Sequence, residues 1–275
     1  MGTLSKRIGQ LAARSLESES SNIIKTGLAN KRGLSKRLDS TLKTSHDMKV
    51  FGLGTAASMA SLQRYARFTA SMHAVYSAME TGMDSSPSPA VACVWHKYGD
   101  NLRRSDALRA DLDEAIAKMT STPDGVPSNK SLTDLSPATK AYVEAINVAA
   151  AADASGDGGA RLLGHMYCRY FADLFGGQAL GGPYRWALDL AAEPRHYDFG
   201  EFGARRRESI ELIYEALNEA GDRLRDGAQR EEVVDEAKLA FRHNIAVYSE
   251  DGRLLADGTR GLVNMAVGWV RSRRA

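Results

Sequence analysis

RLLGHMYCRYFADLFGGQAL, residues Arg161 to Leu180, is the stretch on which the reading of this chain turns. Its apolar spacing predicts one long helix, with Gly176 and Gly177 set inside it. A glycine in a helix interior costs roughly 1 kcal/mol against alanine, so an adjacent pair needs a physical reason. Close approach of another group to the helix backbone is the usual one. At helical spacing Tyr170, Asp173 and Gly177 share a face, with Arg169 one turn before Asp173. An acid, an arginine and tyrosines around a glycine floor suit a flat ligand lying against the helix beneath a polar network.

Working outward, helical periodicity dominates. Leu34, Leu38, Leu42 and His46 recur every fourth residue. Tyr65, Phe68, Met72 and Tyr76 fall on one face of a helix predicted over Ser61 to Met83. A further helix is expected from Asp100 to Met119, followed by a loop rich in Pro, Gly, Ser and Asp. Ser136-Pro137 then supplies a serine cap and a proline for the first turn of the next helix. Later helices are expected from Phe202 to about Arg225 and from Glu231 to about Glu250. No alternating run long enough for a strand occurs, and there are no internal repeats. The expected fold is all-α and single-domain.

Bulk properties narrow the function. In 275 residues the net charge is +2, too near neutral for nucleic acid to be the main partner. Cys93 and Cys168 are the only cysteines and stand outside any C-x-x-C, so neither a disulfide framework nor a cysteine metal site is implied. No apolar run approaches the length of a membrane span. The longest candidate near the end, Gly261 to Val270, is about half that length and runs into RSRRA, so no integral membrane anchor is expected. A soluble intracellular protein fits. The first 37 residues are rich in Lys, Arg and Ser, with Glu17 and Glu19 the only acids. They read either as a leader for import into a mitochondrion or chloroplast, or as a solvated extension of a cytoplasmic protein.

The opening stretch resembles the distal-helix motif of heme oxygenases, which runs approximately A-H-A-Y-T-R-Y-L-G-D-L-S-G-G-Q. The matching residues are His165, Tyr167, Arg169, Tyr170, Asp173, Leu174, Gly176, Gly177 and Gln178. RLDSTLKTSHDMKVF is similar to the family's L-K-E-A-T-x-x-x-H through Leu38, Thr41 and His46. SMHAVYSAMETGM and VWHKYGDNLRRSDALRADL resemble the segments that follow. DEAKLAFRHNIAVYSE resembles E-E-A-K-x-A-F-x-x-N, which places Phe241 and Asn244. The resemblance runs from Leu34 to Glu250. Residues 1–33 are then a basic extension, 34–250 the heme-oxygenase-like domain and 251–275 a C-terminal extension.

The resemblance implies a bundle holding heme between a proximal and a distal helix. It implies His46 as the iron ligand, leaving the opposite iron position open for O2. Asp173 organises proton delivery, supported by Tyr76, Arg169, Tyr170 and Asn244. Tyr167, Gly176, Gly177, Ala172 and Phe241 line the heme. The implied activity is cleavage of heme to biliverdin, carbon monoxide and ferrous iron, with electrons from a reductase or a ferredoxin.

Three departures stand out. Ala172 occupies a place where the family usually has glycine, and its methyl points toward the expected O2 site. Phe175 stands where serine is common. Asp39 falls where the family has a lysine for the heme propionates; Lys36, Arg37, Tyr167 and Arg205 to Arg207 are the nearby alternatives. These departures leave room for a relative that binds heme or a protein without turnover. A thiaminase-like protein of the same fold would instead need Cys168 as its nucleophile. The remaining histidines lack partners at metal-ligand spacing.

Overall fold

The structure is a computed structural model and describes residues 26–45, 48–121, 134–155, 159–250 and 252–274; the side chains of residues 42–45, 48 and 49 lie outside the description. Leu42 and His46 therefore fall outside it, as does most of the polar loop after Ser121. The described chain is helical throughout, with no strand among the described residues, in agreement with the all-α expectation.

Among the described residues twelve α-helices follow one another: α1 Gly33–Ser45, α2 Met48–Ser58, α3 Leu62–Asp84, α4 Pro89–Leu102, α5 Ser105–Thr120, α6 Pro137–Ser155, α7 Leu162–Phe175, α8 Gly181–Leu188, α9 Gly200–Ala204, α10 Arg206–Arg223, α11 Gly227–Ser249 and α12 Leu254–Ser272. Short 3-10 turns lie at Ala29–Lys31, Gly177–Leu180 and Arg195–Tyr197. The central helix is α7, of which every residue but Ala172 is buried. It lies against α11, α10, α3 and α6. Leu162, Leu163, Met166, Phe171 and Leu174 of α7 join Leu34, Leu38, Val75, Met79, Ile213 and Leu217 in one core. A smaller core around Tyr65, Leu112, Tyr184 and Tyr197 unites α3, α5 and α8.

Side-chain caps explain several helix starts. Ser61 Oγ accepts from Arg64 N at 3.2 Å and Ser136 Oγ from Thr139 N at 3.0 Å, with Pro137 in the first turn. Asp226 Oδ1 accepts from Gln229 N at 3.0 Å, so α11 begins four residues before the expected Glu231. Asp153 caps α7 from outside: its carboxylate accepts from Arg161 N at 2.8 Å and Leu162 N at 3.0 Å.

The helix expected over Asp100 to Met119 is two helices, α4 and α5, parted at Arg103 and Arg104. Glu80 makes the break stable. Its Oε1 accepts from Arg104 N at 2.7 Å and Ser105 N at 3.1 Å, and Ser105 Oγ donates to its other oxygen. The Phe202 to Arg225 helix is likewise divided, at Arg205.

α5 is joined to the Arg195–Tyr197 turn by Asp111, which accepts from His196 Nδ1 at 2.7 Å, His196 N at 3.0 Å and Arg195 N at 2.8 Å. Burial alone would raise this carboxyl's pKa, but His196 and the two amides outweigh it and hold it below the ordinary value. A depressed pKa stabilises the fold above the ordinary carboxylate value, and that stabilisation is lost as pH falls through the native value. Asp111→Asn is expected to cost about 1–2 kcal/mol at neutral pH. In thermal melts the difference from wild type should shrink steadily as the buffer is taken below pH ~4.

Candidate functional site

α7 does not run to Leu180. It ends at Phe175, because Gly176 leaves helical geometry at φ −138° and ψ −25°, and a 3-10 turn carries the chain into α8. The glycine pair thus closes the helix rather than lying inside it. The two glycines face different surroundings. A Cβ on Gly177 would stand 3.2 Å from Asp173 Oδ1 and 3.2 Å from the Tyr197 ring. The group approaching that backbone is a tyrosine of the protein itself. A Cβ on Gly176 would meet only Ala172 O, at 3.9 Å. Ala172 and Gly176, one turn apart, are both partly exposed and form the open stripe of this helix end.

Beside that stripe the polar residues converge. The Tyr76 hydroxyl donates to Asp173 Oδ2. Arg169 Nη2 lies 3.7 Å from Asp173 Oδ1, and Arg169 Nη1 donates to Asn244 Oδ1 at 3.0 Å. The guanidinium also stands 5.4 Å over the Tyr76 ring. Burial, then the charge of Asp173 set against that of Arg169, leaves the Tyr76 hydroxyl well above its usual pKa, so it remains a donor. Tyr76, Arg169, Asp173 and Asn244 form one connected cluster drawn from α3, α7 and α11. Two donors in it, Arg169 Nε and Asn244 Nδ2, are buried and bond to no described atom. Such a group costs about 1–3 kcal/mol unless water or a ligand takes its proton.

Tyr170 is placed differently from its expected role in that set. Its hydroxyl donates to Glu80 Oε1 at 3.3 Å, not to Asp173. Its contribution is its ring, edge-on to Tyr76 at 5.1 Å. Phe241 is buried in the main core, and Phe175 packs on Phe171 and near Tyr214.

A second cluster surrounds Asp39 of α1, which is 6% exposed. Tyr167 and Tyr214 each donate a hydroxyl to Oδ1, at 2.6 and 2.7 Å, and Asn30 Nδ2 donates to Oδ2 at 2.7 Å. Burial pushes both tyrosine pKa values up, so both keep their protons as donors. The Tyr167 hydroxyl is therefore satisfied by the protein's own carboxylate. Tyr214 and Asn30 belong to no motif in the sequence; only the fold brings them to Asp39. Of the basic alternatives, Lys36 is exposed and Arg37 pairs with Glu231 at 2.9 Å on the surface; Arg205 and Arg207 are exposed and Arg206 is half-buried.

Cys168 is fully buried, and burial pushes its thiol up to about 12. Such a thiol is no nucleophile at neutral pH. His165 pairs with Glu236 at 2.8 Å, and no group of three metal-binding side chains occurs among the described residues.

Fold and site define an all-helical protein whose central helix carries a buried carboxylate, tyrosine and guanidinium beside an open, glycine-ended stripe. Residues 32–250 match the family model described as heme oxygenase, and the chain belongs to the heme oxygenase family. Heme oxygenase 1 of a Nostoc species is 30% identical over 202 residues, covering 70% of this chain and 73% of that one. Heme oxygenase 1 of Gallus gallus is 28% identical over 198 residues, covering 71% of this chain and 61% of the relative. Among solved structures, heme oxygenase-2 of Synechocystis in complex with heme and NO superposes with a TM-score of 0.63 at 24% identity, covering 80% of this chain and 85% of that one. Heme oxygenase 2 of Chlamydomonas reinhardtii, solved without heme, gives 0.62 at 19%, covering 79% of this chain and 97% of that one. These two likenesses show the shared fold. No described helix is long and apolar enough to cross a membrane.

Proposed function

We propose that this protein is a heme oxygenase, opening heme to biliverdin, carbon monoxide and ferrous iron with O2 and electrons from a reductase or ferredoxin. The observation that carries the reading is the buried cluster of Tyr76, Asp173, Arg169 and Asn244 with its two unmatched donors. Bound heme supplies both the iron that takes up O2 and the carbon framework that is oxidised.

The chain's own part is positioning and proton supply. Asp173 holds the Tyr76 hydroxyl, and Arg169 holds Asn244, so all four side chains are fixed before a ligand arrives. The free donors, Arg169 Nε and Asn244 Nδ2, are placed to order water beside the Ala172 and Gly176 stripe. Asp173, an acceptor toward Tyr76, is placed to relay to that water a proton that arrives from solvent. His46 is the proposed iron ligand; it lies outside the described residues. The residues present thus fit heme on the polar side. At Asp39 they do not fit a ligand carboxylate, since an acid already takes the Tyr167 hydroxyl.

A second reading, a heme binder without turnover, draws on Ala172. That residue is partly exposed on the stripe, where its methyl would crowd ordered water. One experiment separates the two. Purified protein is mixed with hemin, the spectrum recorded, and reductant added in air. Loss of the Soret band with a rise of biliverdin, absent in His46→Ala, is the expected result. A stable Soret complex that yields pigment only in Ala172→Gly would establish the second reading. No Soret complex would defeat both.

A further inference from the structure

α12, beyond the family match, presents a face that no other described element covers. Its inner side is fixed on α2 and α8. Gly261 and Gly268 let the α12 backbone lie directly on Ala56 O and Trp186 O, where any Cβ would overlap. Asn264 Nδ2 donates to Met59 O and Ala60 O at 3.1 Å, and Asp257 pairs with Arg64. The helix is thus firmly mounted, with its single acid turned inward.

The outer side is apolar. Leu255, Val263, Val267 and Val270 are 72%, 45%, 44% and 41% exposed. The three valines follow i, i+4, i+7 spacing, and with Leu255 they make one stripe about 22 Å long. Arg253, Arg260 and Arg271, separated by seven and then eleven residues, lie along one edge of it; all three are exposed. At the C-terminal end Arg273 stacks 4.3 Å over Trp269, and Arg274 follows, exposed. The face combines apolar side chains, arginines and an interfacial tryptophan, and carries no acid.

We propose that this face of α12 docks the protein on an anionic lipid surface, lying in the headgroup layer without crossing the bilayer. The valines enter the acyl boundary and the edge arginines pair with lipid phosphates. A helix with this charge and glycine content does not span. The charge is complementary to a phospholipid surface along the whole stripe, which a compact acidic protein would match only in part.

The test is co-sedimentation of the full chain with vesicles of phosphatidylcholine alone or mixed with phosphatidylglycerol. Binding to the mixed vesicles should be roughly tenfold tighter or more, with a blue shift of tryptophan emission that Trp269→Phe removes. Val263→Asp/Val267→Asp and Arg260→Glu/Arg271→Glu should each abolish it while circular dichroism stays unchanged, both pairs being surface positions. No binding to either vesicle overturns the proposal. So does binding that survives the aspartates, which would be mere charge adsorption. A dimer seen by ultracentrifugation and lost in the aspartate variant, without vesicle binding, would assign the face to a second copy of the chain. Capture by polyglutamate in place of vesicles would assign it to an acidic protein; either result overturns the lipid assignment.

Discussion

Gly164→Ala is expected to lower the unfolding free energy by about 2–3 kcal/mol and the melting temperature by roughly 5–10 °C. Gly164 lies where α7 crosses α11. A Cβ there would stand 2.6 Å from Ala237 N, 2.6 Å from Val233 O and 2.9 Å from Glu236 Cβ. The first two are backbone atoms inside a helix and cannot turn aside, so the helices must separate. The gain in helix propensity, about 1 kcal/mol, is too small to offset that. Gly176→Ala is the control. Its Cβ would meet one oxygen at 3.9 Å, so calorimetry should find it within about 1 kcal/mol of wild type. Equal melting temperatures for the two variants would show that the crossing is not held by this contact.

The second large effect is on turnover. Asp173→Ala leaves the Tyr76 hydroxyl without its acceptor and Arg169 without the carboxylate 3.7 Å away. If the cluster delivers protons, biliverdin formation should fall by ~10²-fold or more, the usual scale for a lost general acid–base group. Hemin affinity, read from the Soret titration, should change little, because the site's polar groups act on the reaction rather than on seating. Tyr76→Phe keeps the carboxylate and is expected to lose less. A rate unchanged in Asp173→Ala would remove this cluster from the chemistry.

Much of the site was legible because its members sit at short helical spacings. Arg169 and Asp173 are one turn apart, and their types announced a polar face before any packing was known. Caps such as Ser61 and Ser136 with Pro137 were equally local. What sequence could not show were groups supplied from a distance. The break between α4 and α5 is held by Glu80, 24 residues before Arg104, so nothing in Asp100 to Met119 announces it. Tyr170 is drawn to the same carboxylate, 90 residues away. The end of α7 at Gly176 is masked in the sequence because the periodicity of Phe171, Leu174 and Phe175 continues up to it. At Asp39 the departure was visible as an acid in a base's place. Its neutral partner Tyr214, 175 residues on, was not.

That internal acid also bears on the choice of guest. A tetrapyrrole with two acidic arms on one rim would present an anion to a wall that already holds a carboxylate, beside two tyrosine hydroxyls whose protons are already committed. The natural guest would then seat with its arms directed elsewhere, and rim charge would matter less here than in a pocket built on lysine. Hemin and its dimethyl ester should accordingly be held with affinities within about tenfold of each other. Asp39→Asn should tilt the comparison toward the free acid, and a wild-type preference for hemin far above that bound would show that the arms find cations after all.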